Sequence, residues 1–407
     1  MTKLNNKGAR TRRRGDCAGP AVSSGQRPRW RAALRHSFAP LLPGCSTSAL
    51  AKWILLVAAI AGPPSASAED SAKSLRWFDA RELTVEGKGW TNTLAFFDRY
   101  PAKAEELVRP PVWALSHDSA GMAVRFVTDA PAITARWTLR KEALAMPHMP
   151  ATGVSGLDLY IKEQGRWQFA GRAPARAVTN EFSLIHNRAP LKREFILYLP
   201  LYNGIKDLEL GIPGSAHLEA APLRPQKPIV FYGTSILQGG CASRPGMAYP
   251  AIIGRYLDWP TINLGFSGNA ISEPEVGQLL AELDPAAYVL DALPNMTTAQ
   301  VTQRIEPFVQ TLRQAHPKTP IVLVEEETYA NAKFVQFQHE RCVRDNAALK
   351  AAYARLRKAG VKNLYYIPGD HLLGDDGEAT VDGVHPTDLG FLRMAETIGP
   401  VLRRILK

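Results

Sequence analysis

The hydrophobic pattern changes its period part-way along the chain, and this change constrains the fold more than any other feature. From about residue 77 to 223, apolar and polar residues alternate in short runs separated by Pro, Gly, Asn and Asp. Period two predicts strands with one buried face. The runs are 123–128, 132–139, 156–162, 181–187, 193–202 and 207–212. Many such strands with hardly a helical pattern between them predict an all-β, jelly-roll-like sandwich over residues 69–223.

Beyond the proline-rich segment 221–228, the apolar runs become nearly continuous and alternate with helical patterns. The runs are 227–232, 259–264, 286–292, 319–325 and 363–367, and the helical patterns are 275–283, 298–315, 340–359 and 389–406. Strands that are buried on both faces and separated by helices predict a parallel sheet. We therefore expect a flavodoxin-like, three-layer α/β/α domain over residues 224–407, with functional residues at the carboxyl ends of its strands.

The positive charge of the chain is concentrated in its first segment. The net charge is +11, but residues 1–68 carry eleven Lys or Arg residues against Asp16 alone, which is a net +10. The remaining residues are therefore close to neutral, and we expect no nucleic-acid partner.

The same basic segment ends in a pattern that is typical of export signals. Lys52 precedes the apolar run 53–61, small residues stand at Ala66 and Ala68, and the chain then turns acidic. This pattern predicts a signal peptide over residues 1–68 with cleavage after Ala68, and hence a periplasmic or secreted protein. The apolar run is short for a membrane span, so no stable insertion is expected after cleavage; an uncleaved anchor is the alternative.

Polar residues of types that take part in catalysis follow the predicted parallel strands. Ser235 comes directly after the first run in the stretch FYGTSILQGG, and the turn GFSGN, which contains Gly268, comes after the second. Asn295 follows the third run, and VDGVHP near the C-terminus places Asp382 and His385 three residues apart. Each pattern alone is weak: G-x-S can be a plain turn, and Asp382 can cap the final helix. Together, each after the appropriate strand, they favour a catalytic site.

These residue types are those that ester hydrolysis requires. A serine hydroxyl needs a neutral imidazole to take its proton, and a carboxylate to orient that imidazole; Ser235, His385 and Asp382 supply all three. The tetrahedral oxyanion needs fixed donors, which the N–H groups of Ser235 and Gly268 and the side-chain amide of Asn295 can provide. No Cys/His cluster has metal-ligand spacing and no glycine loop has the form of a phosphate site, so neither a metal nor a cofactor is predicted.

The four segments resemble the sequence blocks of the SGNH (GDSL-type) hydrolase superfamily. The resembling stretches are GTSILQGG, NLGFSGN, DALPN and DGVHP, within residues 227–407. The preceding sandwich resembles the N-terminal module of one bacterial branch of these enzymes. The resemblance implies metal-free ester hydrolysis, with Ser235 as nucleophile, Gly268 and Asn295 in the oxyanion hole, and Asp382 and His385 as the remaining catalytic pair.

Two departures from the family pattern stand out. Thr234 replaces the aspartate of the family name, and Leu-Pro-Asn-Met replaces the usual Gly-x-Asn-Asp around Asn295. Gly265 competes with Gly268 for the second block, and the spacing after Asn263 favours Gly268.

The remaining expectations concern cysteines and acids. Cys241 and Cys342 are the cysteines outside residues 1–68, and an exported chain can bridge them; two free buried thiols are the alternative. Glu325, Glu326 and Glu327 close the fourth strand, where a solvated turn is expected and a place in the lining of the pocket is the alternative.

The sequence therefore predicts a secreted serine esterase that removes short acyl groups, acetyl above all, from a carbohydrate or other acylated polar substrate. A lysophospholipase or thioesterase acting on longer chains, and a glycan-binding protein without catalysis, are the alternatives. The oligomeric state is not predicted.

Overall fold

The computed structural model describes residues 74–407, and the predicted signal segment lies outside the described residues. The strands are β1 (Leu75–Asp79), β2 (Thr84–Glu86), β3 (Ala123–Thr128), β4 (Ile133–Leu139), β5 (Leu157–Glu163), β6 (Arg166–Ala173), β7 (Thr179–Ile185), β8 (Arg193–Tyr198), β9 (Ile205–Pro213), β10 (Leu218–Ala220), β11 (Ile229–Gly233), β12 (Thr261–Gly265), β13 (Ala287–Asp291), β14 (Ile321–Val324) and β15 (Leu364–Ile367). The α-helices are α1 (Pro110–Ser116), α2 (Ala151–Val154), α3 (Ser235–Gln238), α4 (Tyr249–Leu257), α5 (Pro274–Ala281), α6 (Thr298–Ala315), α7 (Gln336–Lys358) and α8 (Asp388–Ile405). Within residues 74–407, every helix is too short or too polar to cross a lipid bilayer.

The N-terminal half is built from antiparallel sheets. One sheet has the strand order β1-β9-β4-β7, and the other has the order β10-β3-β8-β5-β6 with β2 paired to β3. Strand β4 shows how the alternating pattern forms the core: Ile133, Ala135, Trp137 and Leu139 are buried, and the residues between them are partly exposed. The predicted antiparallel module is confirmed.

The C-terminal half is the predicted parallel sheet. Its strand order, β12-β11-β13-β14-β15, is that of a flavodoxin-like fold. Along β11, Val230 and Tyr232 pack into the cluster under α5, α6 and α7, whereas Ile229 and Phe231 pack into the cluster under α4 and α8. Both faces of β11 are therefore buried, which explains its continuous apolar run.

Part of the N-terminal half belongs to the core of the parallel sheet. Tyr100, Val108 and Val112, in and before α1, are buried in the same cluster as Leu264 and Phe266 at the end of β12. The sequence did not predict α1, because it has only seven residues and begins with two prolines.

A buried arginine joins the same two regions. The guanidinium of Arg99 is 1% exposed and donates to the carbonyl oxygen of Gly265 at 2.6 Å and to that of Leu115 at 2.7 Å. Burial lowers the pKa of Arg99 to about 10, so the group is still a cation at neutral pH. The end of β12 is thus held by a charge from the N-terminal half.

Replacing Arg99 should therefore destabilise the whole unit. We expect Arg99→Met to lower the free energy of unfolding by about 2–4 kcal/mol, because buried carbonyl groups lose their donor. The measurement is urea unfolding followed by circular dichroism. Arg81→Met, at an exposed ion pair with Asp79, is the control and should change stability by less than about 1 kcal/mol. Equal stability of the two variants would contradict this role of Arg99.

Candidate active site

Ser235 occupies a sharp turn between β11 and the single-turn helix α3. The Thr234 side chain caps α3 by accepting the N–H of Ile236 at 3.3 Å. Gly239 ends the helix in the left-handed region, with φ 113°, where a side chain would also strike Leu201. The stretch that follows β11 therefore presents Ser235 at the carboxyl edge of the sheet.

Ser235, His385 and Asp382 form a continuous line of hydrogen bonds. The Ser235 Oγ lies 2.9 Å from Nε2 of His385, and Nδ1 of His385 lies 2.8 Å from Oδ2 of Asp382. The second oxygen of Asp382 accepts the backbone N–H groups of Val384 and His385 at 3.0 and 2.8 Å. The structure thus brings Ser235 to the Asp382–His385 pair, although Ser235 and His385 are 150 residues apart in the chain.

The Asp382 carboxylate is held in its charged form. Burial alone would raise its pKa, but the hydrogen bonds from His385 and Val384 outweigh burial and hold the pKa of Asp382 below its ordinary value. Asp382 does not cap the final helix, because α8 begins at Asp388 and its N-cap is Thr387.

Gly268 lies in the loop after β12 and Asn295 in the loop after β13, and these two strands flank β11. Gly233 of β11 pairs with Gly265 of β12 and with Asp291 of β13, so all three strands end together. In the orientation that satisfies both of its polar atoms, the Asn295 amide oxygen accepts the N–H groups of residues 268, 269 and 270 at 3.2, 3.0 and 3.2 Å. The amide NH₂ of Asn295 is left as a donor on its other side.

The surroundings of Gly265 and Gly268 differ, and the difference decides which glycine is the candidate oxyanion donor. The N–H of Gly265 donates to Oδ1 of Asn263 at 2.9 Å, and a side chain there would strike the backbone of Gln238. Gly268 instead lies at the open rim with φ 68° and free space around its Cα. Gly268 is therefore the residue exposed to a ligand.

Both halves of the chain are similar to known protein families. Residues 226–403 match the GDSL-like Lipase/Acylhydrolase family, and residues 75–218 match the N-terminal domain of SGNH hydrolase-type esterases, which is named GxDLY. The chain is 42% identical to a structure described as a GDSL-like lipase from Bacteroides ovatus, over 82% of this chain and 98% of that one, with a TM-score of 0.79. The chain belongs to the GDSL-like lipase/acylhydrolase family. It is therefore a hydrolase that cleaves esters.

More distant structures share the fold. The salicylyl-acyltransferase SsfX3 from a tetracycline biosynthetic pathway is 20% identical over 80% of this chain and 95% of its own, with a TM-score of 0.65. A family two carbohydrate esterase from Cellvibrio japonicus is 16% identical over 82% and 98%, with a TM-score of 0.55. No curated protein matches the chain.

The GxDLY sequence of the N-terminal domain stands at residues 156–160 as GLDLY, and it contacts the GDSL-like domain. The buried Asp158 carboxylate accepts from Nη1 of Arg244 at 2.7 Å and from the N–H of Gly246 at 2.8 Å. Both partners follow the Ser235 turn. The motif thus fixes the segment that leads away from Ser235.

Gln238 is a site residue that sequence reasoning missed. Its side chain is fully buried; Oε1 accepts the N–H of Ser267 at 3.0 Å, and Nε2 donates to Asp118 and to the carbonyl of Leu201 at 3.2 and 2.9 Å. It ties the Ser235 turn to the Gly268 turn and to the N-terminal half. A glutamine after a serine carries no pattern of its own, so only the tertiary structure reveals it.

The expected bridge between Cys241 and Cys342 is wrong for this structure, because both thiols are free and buried. Cys241 lies in the turn after α3, whereas Cys342 lies on α7 with its Sγ 3.8 Å from the carbonyl of Glu327. Burial raises the pKa of each thiol to about 12, so both are protonated and poor nucleophiles. Within residues 74–407, no three His, Cys, Asp or Glu side chains are arranged to hold a metal ion.

The solvated turn expected at residues 325–327 is also wrong. Glu326 and Glu327 are fully buried beneath the carboxyl edge of the sheet. Glu326 accepts a hydrogen bond from the hydroxyl of Tyr329, and Asn346 binds its backbone on both sides. Burial raises the pKa of Glu327 well above its ordinary range, which favours the protonated form of its carboxyl group.

Asp291, at the end of β13, is another buried carboxyl group, and its burial has a consequence that can be tested. Burial raises its pKa to about 7, against the opposing hydrogen bond from the hydroxyl of Tyr249 at 2.7 Å. Between the ordinary value of 3.8 and about 7, the folded chain keeps a proton that the unfolded chain releases. The free energy of unfolding should therefore fall as pH rises through this window, by up to about 1.4 kcal/mol per pH unit from this group.

Asp291→Asn should remove that slope, since the amide has no proton to lose and still accepts from Tyr249. Urea unfolding at several pH values between 4 and 8 measures it, with the exposed Asp284→Asn as the surface control. An unchanged slope in Asp291→Asn would rule out a raised pKa at this position.

Proposed function

We propose that the protein is a serine esterase that removes short acyl groups, acetyl above all, from carbohydrate alcohols. In this proposal Ser235 is the nucleophile, His385 the general base and acid, and Asp382 the carboxylate that orients His385. The N–H groups of Ser235 and Gly268 and the NH₂ of Asn295 form the oxyanion hole, and the Gly268 N–H exchanges its 3.2 Å contact with the Asn295 amide oxygen for the oxyanion. The observation that carries the proposal is the hydrogen-bonded line from Ser235 to Asp382 at an open surface, where the Asp382 and His385 side chains are 42% and 25% exposed.

In the first half-reaction, Ser235 Oγ attacks the carbonyl carbon of the ester while Nε2 of His385 takes its proton. The carbonyl oxygen becomes an oxyanion and moves towards the fixed donors. The carbon–oxygen bond to the alcohol then breaks, and Nε2 returns the proton to the departing oxygen. The acyl group is left on Ser235, and Asp382 stabilises the imidazolium throughout.

In the second half-reaction, a water molecule takes the place of the alcohol. His385 removes a proton from the water, whose oxygen attacks the acyl carbon, and the same oxyanion hole holds the charge. Collapse of this intermediate releases the acid and returns the proton to Ser235 Oγ.

The exposure of the site supports a polar alcohol. A sugar hydroxyl on a large glycan can reach Ser235 without being enclosed, because His385 and Asp382 stand at the surface. A cavity of about 420 Å³, lined in part by Asn295 and Phe337, lies beside the proposed oxyanion donors and has room for a short acyl group. The shared fold of the solved carbohydrate esterases is compatible with this proposal, which rests on the site.

One observation favours longer acyl chains as a second candidate. Phe334 and Phe337 are 80% and 69% exposed, and their segment contacts the catalytic loop where the N–H of Ala330 donates to the carbonyl of Gly383 at 3.2 Å. Exposed aromatic rings beside a catalytic loop can pack against an alkyl chain. A lysophospholipase or thioesterase activity would use them in this way.

Hydrolysis of p-nitrophenyl acetate and p-nitrophenyl octanoate tests both candidates. We expect the acetate to be preferred in kcat/KM, because the open site offers a long chain little enclosure. Ser235→Ala and His385→Ala should each lower kcat about 10⁴-fold or more, since either removes the proton relay.

Ser215→Ala, at an exposed serine of the N-terminal half, is the matched control and should leave turnover unchanged. A preference for octanoate would replace the short-chain proposal by the second candidate. Turnover that survives in Ser235→Ala would overturn the assignment of the nucleophile.

We further propose that the protein is periplasmic or secreted, on the strength of the pattern that ends at Ala68. Expression of the full chain in a bacterium should give a mature form whose first residue is Glu69. Mass spectrometry of its N-terminal peptide is the measurement, with an Ala66→Arg, Ala68→Arg double variant as the control that should block cleavage. A mature protein that keeps residues 1–68 would contradict this proposal.

A further inference from the structure

A histidine of the N-terminal half stands beside the candidate catalytic histidine. The ring of His148 lies 5.8 Å from the ring of His385, measured between centroids, with the ring planes 50° apart. His148 is exposed, and no residue of the described chain hydrogen-bonds to its ring nitrogens. An imidazole with free polar atoms therefore faces the space next to His385.

The position of His148 is set by a tight turn. Met146 and Met149 exchange backbone hydrogen bonds of 2.9 and 3.1 Å, which leaves Pro147 and His148 at the tip. Met149 is 1% exposed and packs in the cluster that contains Ala242, just after the Ser235 turn. The buried Met149 side chain thus anchors this turn of the N-terminal half, and His148 lies at its tip.

A chain of contacts links this turn to the loop that carries His385. The hydroxyl of Thr152 donates to the carbonyl of Ser243 at 2.6 Å, and Ser243 in turn donates through its N–H to Asp388 at 2.9 Å. Gly153 approaches the carbonyl of Ala242 so closely that a Cβ would lie 2.2 Å from it. Hydrogen bonds and close packing therefore connect the segment that carries His148 to the segment that carries His385.

The chemistry of the proposed reaction decides which part of the substrate meets His148. Nε2 of His385 must reach the oxygen of the departing alcohol in order to protonate it. A group beside His385 therefore lies next to the alcohol portion of the ester. The carbonyl oxygen of the ester lies on the other side, towards the donors at Gly268 and Asn295. A sugar attached through the departing alcohol oxygen would place its neighbouring hydroxyl groups within reach of His148.

We propose that His148 is a specificity-determining residue that hydrogen-bonds the polar alcohol portion of the ester, a sugar hydroxyl neighbouring the acylated one. This assignment rests on the proposed esterase function. It gives the N-terminal half a direct part in substrate choice, because His148 is the contact that distinguishes a polyhydroxylated alcohol from a simple one.

The test compares two esters that share an acyl group and differ in the alcohol: an acetylated methyl glycoside and p-nitrophenyl acetate. Both give the same acetyl-enzyme, so kcat/KM differs only through binding and departure of the alcohol. His148→Ala and His148→Phe should lower kcat/KM for the glycoside about 3- to 10-fold, the usual effect of one lost hydrogen bond, mainly through KM. For p-nitrophenyl acetate both variants should stay within about 2-fold of the wild type.

His148→Gln, which keeps a donor and an acceptor, should recover part of the loss on the glycoside, and His186→Ala is the control at another exposed histidine of the N-terminal half. An equal fall on both esters would overturn the assignment and make His148 a support for His385. No fall on either ester would also overturn it. If the wild type shows no Ser235-dependent turnover of either ester, the proposed function fails and this assignment with it.

Discussion

Two arginines from the N-terminal half hold the turn on which the candidate site depends. Arg99 is buried and binds the carbonyl of Gly265, and Arg109 binds Oδ1 and the carbonyl of Asn269 at 3.0 and 2.9 Å. Gly268 lies between these anchors. A glycine-rich turn has little stiffness of its own, so these donors bind its oxygen atoms and thereby fix the direction of its N–H groups. Within residues 74–407, the two halves of the chain therefore form one compact structural unit.

The same dependence appears on the other side of Ser235. Gln238 joins the Ser235 turn to Ser267 and to Asp118, and Asp158 of the GLDLY sequence holds Arg244 and Gly246 beyond it. Each of these polar groups is buried or partly buried, and the bonds of Gln238 to Asp118 and of Asp158 to Arg244 and Gly246 cross the boundary between the halves. Buried hydrogen bonds of this kind give a site rigidity, because breaking one leaves a partner without water to replace it.

Local patterns predicted much of this structure. The alternating runs became antiparallel strands, the continuous runs became β11 to β15, and the pattern at 298–315 became α6 with the same bounds. Helix α1 escaped prediction because its burial comes from packing against β12 and not from its own periodicity. The prediction of a solvated turn at 325–327 was wrong for a related reason. A carboxyl group is expected in water unless neighbours enclose it, and the sequence pattern does not show that Tyr329 and Asn346 enclose these acids.

The sequence by itself determined which strands are parallel, and hence that Ser235, Gly268, Asn295 and the Asp382–His385 pair would share one edge of a sheet, because strands buried on both faces can be recognised from their composition. Only the tertiary structure decided the 2.9 Å contact between Ser235 and His385, the separation of Cys241 from Cys342 as free thiols, and the approach of His148 to His385. The reason is physical: a strand pattern specifies an edge, whereas the distance between two side chains on that edge depends on packing contributed by the rest of the chain.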